Sequence, residues 1–481
     1  MRDGTGSSSG ALRTHGVAAG PLLTSSTVPD RGATMIDLPL QADPEIIAEG
    51  VNLVWVLVAT FLVFFMHAGF GMLESGQVRS KNVANQLTKN VLTWGVGVIA
   101  YFLVGAGISV AIAALTSGGA VSGVFAHLDA GSTGWAYLLF GAAFSMVAAS
   151  IVSGAVAERA QLGGYLVFTV FVGALIYPVA TGLTWGGGFL SQLGFQDFAG
   201  GAIVHMTGGI CGLVAAYVIG PRIGRFNDDG SSNVIPGHSL PYAVLGTLIL
   251  AFGWYGFNVG TAVEVFQIGE GGALALSDYS YAGRVAINTA LIMGAGSIGA
   301  ALVGYVRQGK VDPLMTANGL LAGLVSVCSI AAVASWRGTL VVGLIAGIQV
   351  VLVFDLLERV GIDDVCAVFP VHGSAGLLSA LAYPFVDTTS AFSVTQLGIQ
   401  AAGVIVLAAW AAGITLAVYG VLKLLGWARV TREEELAGLD ASEHGIETYP
   451  EFGGSVVDES GPRGPPGGAP TADGGEVIDD D

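Results

Sequence analysis

DFAGGAIVHMTGGICGLVAAYVIGPRIGR, residues 197–225, joins a membrane-length apolar run to one histidine and a stripe of small residues. Asp197 stands where a helix N-cap belongs, its carboxylate placed to accept from the free amides of the first turn, and Arg222 and Arg225 close the far end. At about 100° per residue, Gly201, His205, Gly208, Gly209 and Gly212 fall on one face. Glycine there lets a second helix backbone come close, so the imidazole is expected to point into a helix interface and not toward lipid. An ionisable side chain at that depth is a functional candidate, against the plainer reading of a histidine that only hydrogen-bonds its neighbour.

The rest of the chain is of the same kind. Of 481 residues, 53% are apolar and 11% charged, outside the range of soluble domains, and 74 glycines fit helices packed through small residues. A net charge of −17 argues against a nucleic-acid partner. Much of the acid lies after Thr431, as in Glu433, Glu434, Glu435 and Asp479 to Asp481. Lysine is confined to positions 81, 89, 310 and 423, and with the acidic balance this composition resembles that of salt-loving archaea. Cys211, Cys328 and Cys366 lie in or beside apolar runs, which indicates neither a disulfide framework nor a thiolate metal site. Residues 1–45 read as a disordered extension in which Met35 is a second candidate start. Residues 46–427 read as the membrane domain and 428–481 as a cytoplasmic tail, disordered after about 451.

Eleven membrane-length segments are expected, at about 51–73, 88–114, 135–157, 164–181, 198–219, 241–261, 283–305, 315–334, 338–358, 365–383 and 396–425. Loops on one side are expected to hold Arg79, Lys81, Lys89, Arg159, Arg222, Arg225, Arg307, Lys310 and Arg359, whereas 115–134, 182–197, 262–280 and 384–394 hold no lysine or arginine, with only Arg284 and Arg337 near that surface. By the positive-inside rule the amino end is outside, the carboxyl end cytoplasmic and the number of spans odd. Val204-His205 with Gly208-Gly209 is echoed by Val371-His372 with Ala375-Gly376 five spans later. An odd offset makes the halves inverted repeats, with one histidine from each at a shared midplane site.

These motifs resemble the ammonium transporters of the Amt/Mep/Rh family: GFGMLESGQVRSKN at 69–82, IVSGAVAER at 151–159, DFAGG with VH at 197–205, WYGFN at 254–258, DPLMTANGLLAGLV at 312–325 and VHG at 371–373. The resemblance implies an all-α membrane protein of eleven transmembrane helices, two inverted five-helix repeats plus a final helix, assembled as a homotrimer in the plasma membrane. It implies ammonium recruitment by Phe144, Trp185 and Thr261, a gate of Phe144 and Phe257, and a proton relay through His205 and His372. Asp197 would support the site, and the tail would dock a PII-type regulator. The expected activity is ammonium uptake by deprotonation and ammonia conduction, with an ammonium sensor or a passive gas channel as alternatives. Thr261 departs from the serine frequent in the family, its extra methyl narrowing the site, and Pro370 marks a helix irregularity.

No enzyme, metal or cofactor is expected: no HExxH occurs, no carboxylate stands beside either histidine at ligand spacing, and Ser374 lacks a nucleophile context. Trp254 reads as an interfacial belt residue.

Overall fold

The computed structural model describes residues 43–450. The expected disorder of the amino-terminal extension, apart from residues 43–45, and of the tail beyond 450 falls outside the described residues.

In hydrocarbon a backbone must satisfy its own amides and carbonyls, so the apolar runs fold as helices. Nine among the described residues are long and apolar enough to cross a membrane. These are α1 (Pro44–Gln77), α2 (Ser80–Ser117), α3 (Gly131–Ala155), α4 (Leu162–Leu183), α5 (Gly201–Ile219), α6 (Leu240–Asn258), α7 (Tyr279–Gln308), α9 (Trp336–Arg359) and α11 (Val394–Leu424). Two apolar helices are shorter or interrupted: α8 (Pro313–Val327) and α10 (369–386), which opens in a π-turn and contains Pro384. Short polar side chains set the starts. Ser239 caps α6, Asp312 caps α8, Ser335 caps α9 and Ser393 caps α11, each accepting a first-turn amide. A hairpin of β1 (Phe266–Ile268) and β2 (Leu274–Leu276) follows α6 in a loop that carries no lysine or arginine, with Phe266 opposite Leu276. Asn52 of α1 pins it by accepting from the amides of Val265 and Phe266.

α5 and α10 cross with their backbones in direct contact. A Cβ on Gly209 would overlap the backbone of Gly373, and one on Gly376 would overlap the carbonyl of Gly201, so glycine on both helices is what permits the crossing. α3 fills the middle of the molecule, its residues from Phe140 to Ala155 all buried.

At the opposite, basic end, buried charges tie the loops together. Arg222 clamps Asp363 through two parallel contacts of 2.8 and 2.9 Å and reaches Glu158 at 2.9 Å, which also takes Arg79. Burial pushes the Glu158 carboxyl up, but Arg222 and Arg79 outweigh it and hold the group down at about 2. Asp363 is likewise held below the usual carboxylate range, burial being overcome by Arg159 and Arg222.

The tail is draped over this end of its own chain. α12 (Arg432–Ala437) opens on a capping box of Thr431 and Glu434, and α13 (Leu439–His444) follows. Three tail carboxylates each take a loop or helix-start amide: Glu435 from Ile223, Asp440 from Asn85 and Glu443 from Leu162.

Candidate functional site

His205 and His372 come together although 167 residues separate them, their Nδ1 atoms 3.3 Å apart and their rings stacked at 17°. Both are buried. At that distance the two Nδ1 atoms are within hydrogen-bond reach, and two neutral imidazoles can satisfy the contact with one ring donating and the other accepting, the roles set by tautomer. His205 Nε2 has no partner among the described residues, which leaves one nitrogen of the pair open to a guest.

Each histidine is held by the same local device. Asp197 Oδ2 accepts from the amides of Ala202 and Ile203 at 2.9 and 2.8 Å, Gly200 lies in the left-handed region at φ 91°, and Gly201–Met206 winds as a π-turn. In the second copy Asp364 accepts from Val368 and Phe369 at 2.8 and 2.7 Å, Ala367 is left-handed at φ 56°, and Phe369–Ser374 is again a π-turn. π-turns are rare and recur at functional sites. Burial pushes the Asp364 carboxyl up to about 6 despite those two amides. The irregularity expected at Pro370 is this second π-turn.

The predicted aromatic residues stack above His205. Phe144 and Phe257 lie face to face with centroids 4.1 Å apart, and Phe257 is 5.0 Å from His205. Trp185 meets Phe144 edge-on at 6.1 Å, and its indole N–H donates to the carbonyl of Asp197 at 2.8 Å. Thr261 joins through Phe257, whose carbonyl accepts its hydroxyl at 2.8 Å. Asp197 Oδ1 accepts from Ser329 at 2.7 Å, so its carboxylate is spent on structure.

Trp254 is a correction. It is not an interfacial residue: it is fully buried, stacks on His205 at 5.1 Å and 17°, and donates its indole N–H to Cys328 Sγ at 3.3 Å. The sequence reading placed it at the belt because tryptophan near a span end usually is, but α6 runs four residues further and a tertiary contact claims the ring. Asp364 was missed altogether. Its signal is present in the letters: Asp364 precedes His372 by the same eight residues as Asp197 precedes His205.

A buried, uncharged column therefore runs from stacked aromatics to paired imidazoles, enclosed by apolar helices. The sequence profile of the Ammonium Transporter Family matches residues 54–449. The chain belongs to the ammonium transporter family. It is a multi-pass membrane protein of ammonium transport. Ammonium transporter Amt2 of Haloferax mediterranei is 56% identical over 430 residues, covering 87% of this chain and 94% of the relative. Ammonium transporter Amt1 of the same organism is 48% identical, covering 92% and 86%. Among solved structures, a sensor Amt protein superposes with a TM-score of 0.76 at 32% identity, covering 83% of this chain and 100% of that one. Mep2 of Candida albicans gives 0.71 at 25% identity, covering 86% and 95%. In this family member Trp254, the histidine pair and the stacked phenylalanines form one run of rings that Trp185 meets edge-on.

Proposed function

We propose that the chain recruits ammonium at Trp185, Phe144 and Thr261, strips its proton, and conducts ammonia past Phe144 and Phe257 along His205 and His372 to the cytoplasm. The observation that supports this most directly is the 3.3 Å contact between the two Nδ1 atoms, with His205 Nε2 unpartnered among the described residues beneath the aromatic stack. Moving a small cation intact into a low-dielectric column costs on the order of 20 kcal/mol in the Born limit and several after relaxation. Removing a proton from an amine of pKa roughly 9 to 10 at neutral pH costs about 3 to 4 kcal/mol. Deprotonation is the smaller barrier. Aromatic faces attract the cation at the mouth, and neutral imidazoles pass hydrogen bonds and protons without adding a fixed charge.

In this reading α8 and α10 also cross the bilayer, giving eleven spans, with the amino end outside and the basic end cytoplasmic. α1–α5 and α6–α10 are the inverted repeats. Homotrimeric assembly and docking of a PII-type protein on the tail belong to the same proposal. Ammonium-evoked current in proteoliposomes tests it: a saturable current accompanied by proton movement supports deprotonation and relay, whereas lumenal alkalinisation without current identifies a passive ammonia channel. A sensor is the second reading, favoured by the likeness to the solved sensor Amt protein.

A further inference from the structure

Glu74 is a carboxylate inside a membrane helix, α1, and only 2% exposed. Removing such a group from water without use is costly, and ionisable side chains at membrane depth mark ion pathways. Its place is set by Phe70, one turn earlier on the same face, whose ring lies 6.4 Å from that of His372. Four residues along α1, about 6 Å toward the basic end, stands the carboxylate. From the other side, a Cβ built on Gly154 of α3 would lie 3.1 Å from Glu74 Oε1 and 3.0 Å from both Cys366 and Val368. Val368 leads into the π-turn of His372, so Oε1 borders the point where α1, α3 and α10 converge below the second histidine.

The carboxylate is held in advance of any ligand. Gln86 Nε2 and Asn90 Nδ2 both donate to Oε2 at 2.7 Å, and the Ser153 hydroxyl spans the two oxygens at 2.6 and 2.7 Å. Three neutral hydrogens serve a group with about four acceptor positions, and the oxygen left with capacity is Oε1. Lys89, fully buried on α2, turns its ammonium to Gln86 Oε1 at 3.4 Å and not to the carboxylate. The plain alternative is that Glu74 exists only to offset Lys89.

We infer that Glu74 is an ammonium-binding carboxylate at the inner end of the conduction column, the counterpart of the aromatic site at the opposite mouth. The inference rests on the conduction reading above. Aromatic faces hold the cation on one side, and Oε1 of Glu74 holds it on the other, where it enters from or leaves to the cytoplasm. Because the uncharged histidine pair lies between them, a cation held at Glu74 still has no through path.

The test uses the full-length protein in right-side-out and inside-out membrane vesicles, which present opposite faces to added ammonium. Glu74→Gln keeps the shape and removes the charge. It is expected to raise the half-saturating ammonium for current about tenfold from the cytoplasmic face, as loss of a charge-assisted contact does, while the outer face keeps its dependence. Glu74→Asp, which keeps the charge on a shorter arm, should recover part of that shift and leave about threefold. Should Glu74→Gln give no folded protein, Glu74→Asp carries the test alone, with a shift of about threefold or more confined to the cytoplasmic face. Folded variants whose dependence is unchanged on both faces, or changed equally on both, leave Glu74 as a structural partner of Lys89 and overturn the inference. Absence of both ammonium current and lumenal alkalinisation in the unsubstituted protein defeats the conduction reading and this inference with it, whereas normal transport by either readout with an unshifted Glu74→Gln defeats this inference alone.

Discussion

The turn that carries His205 and the turn that carries His372 share an aspartate eight residues upstream, a left-handed residue three after it and a π-wound start. Their surroundings differ. Around His205 stand Trp254 and Phe257, and Asp197 is neutralised by amides and the Ser329 hydroxyl. Near His372 stands Phe70, while Asp364 adjoins the charged cluster of Asp363, Arg222 and Glu158. The difference teaches that the repeated turn supplies geometry, and that residues outside the repeat decide what each end of the column meets: aromatic faces at one, buried charge at the other.

The largest effect expected is on selectivity. His205→Asp puts a carboxylate among aromatic rings and should admit potassium, raising its current on the order of a hundredfold in reconstituted vesicles, since the barrier it lowers is several kcal/mol. If the folded variant still excludes potassium while His205→Ala keeps full ammonium current, the pair is structural and the likeness of the two turns has no transport meaning.

Stability sharpens the contrast next. Arg222→Met removes the cation that Asp363 and Glu158 share, leaving Arg79 on Glu158 and Arg225 beside Asp363, and should cost about 1.5 to 3 kcal/mol, read as a lower melting temperature in detergent. Because the folded Glu158 carboxyl is held near 2, below its ordinary 4.5, its stabilisation is present above pH 4.5 and is lost as pH falls toward 2. The wild-type melting temperature should therefore fall across that window, and less of that fall should remain in Arg222→Met. Equal falls in both proteins would assign the acid loss to other carboxylates.

Asp197→Asn and Asp364→Asn compare the two caps directly. Each replaces a charged acceptor of two amides, at about 1 to 2 kcal/mol by melting temperature. Similar losses support one shared device, and a loss at Asp197 alone would break the analogy. The smallest effect belongs to the mouth: Trp185→Leu removes a face for the cation and should raise half-saturating ammonium about threefold, with flux at high ammonium largely kept. An unchanged dependence would remove Trp185 from recruitment.

Much of this was legible in the letters. The apolar runs, the histidine set among glycines and Asp197 as its cap all follow from what hydrocarbon demands of a backbone, and the structure places His205 beside His372 as the echo implied. The pitch at His205 was not legible, because periodicity at 100° presupposes an α-helix and the chain there winds wider. Asp364 hid behind dissimilar neighbours: Val-Cys-Ala-Val-Phe-Pro shares little with Phe-Ala-Gly-Gly-Ala-Ile, although each leaves two consecutive first-turn amides to its aspartate. Glu74 was visible only as a motif letter near a span end, where a carboxylate ordinarily meets water. Its donors come from α2 and α3, and no local pattern records them.

The glycine crossing of α5 and α10 has a mechanical side. Where two backbones touch with nothing between them, the contact is a hard stop: it can be pried open but not compressed. The distance between the two imidazoles is thus set by main-chain thickness at Gly209 with Gly373 and at Gly376 with Gly201. Changes in lateral pressure or bilayer thickness that squeeze the outer helices should leave that spacing untouched, so the histidine pair works as a fixed gauge inside a deformable wall.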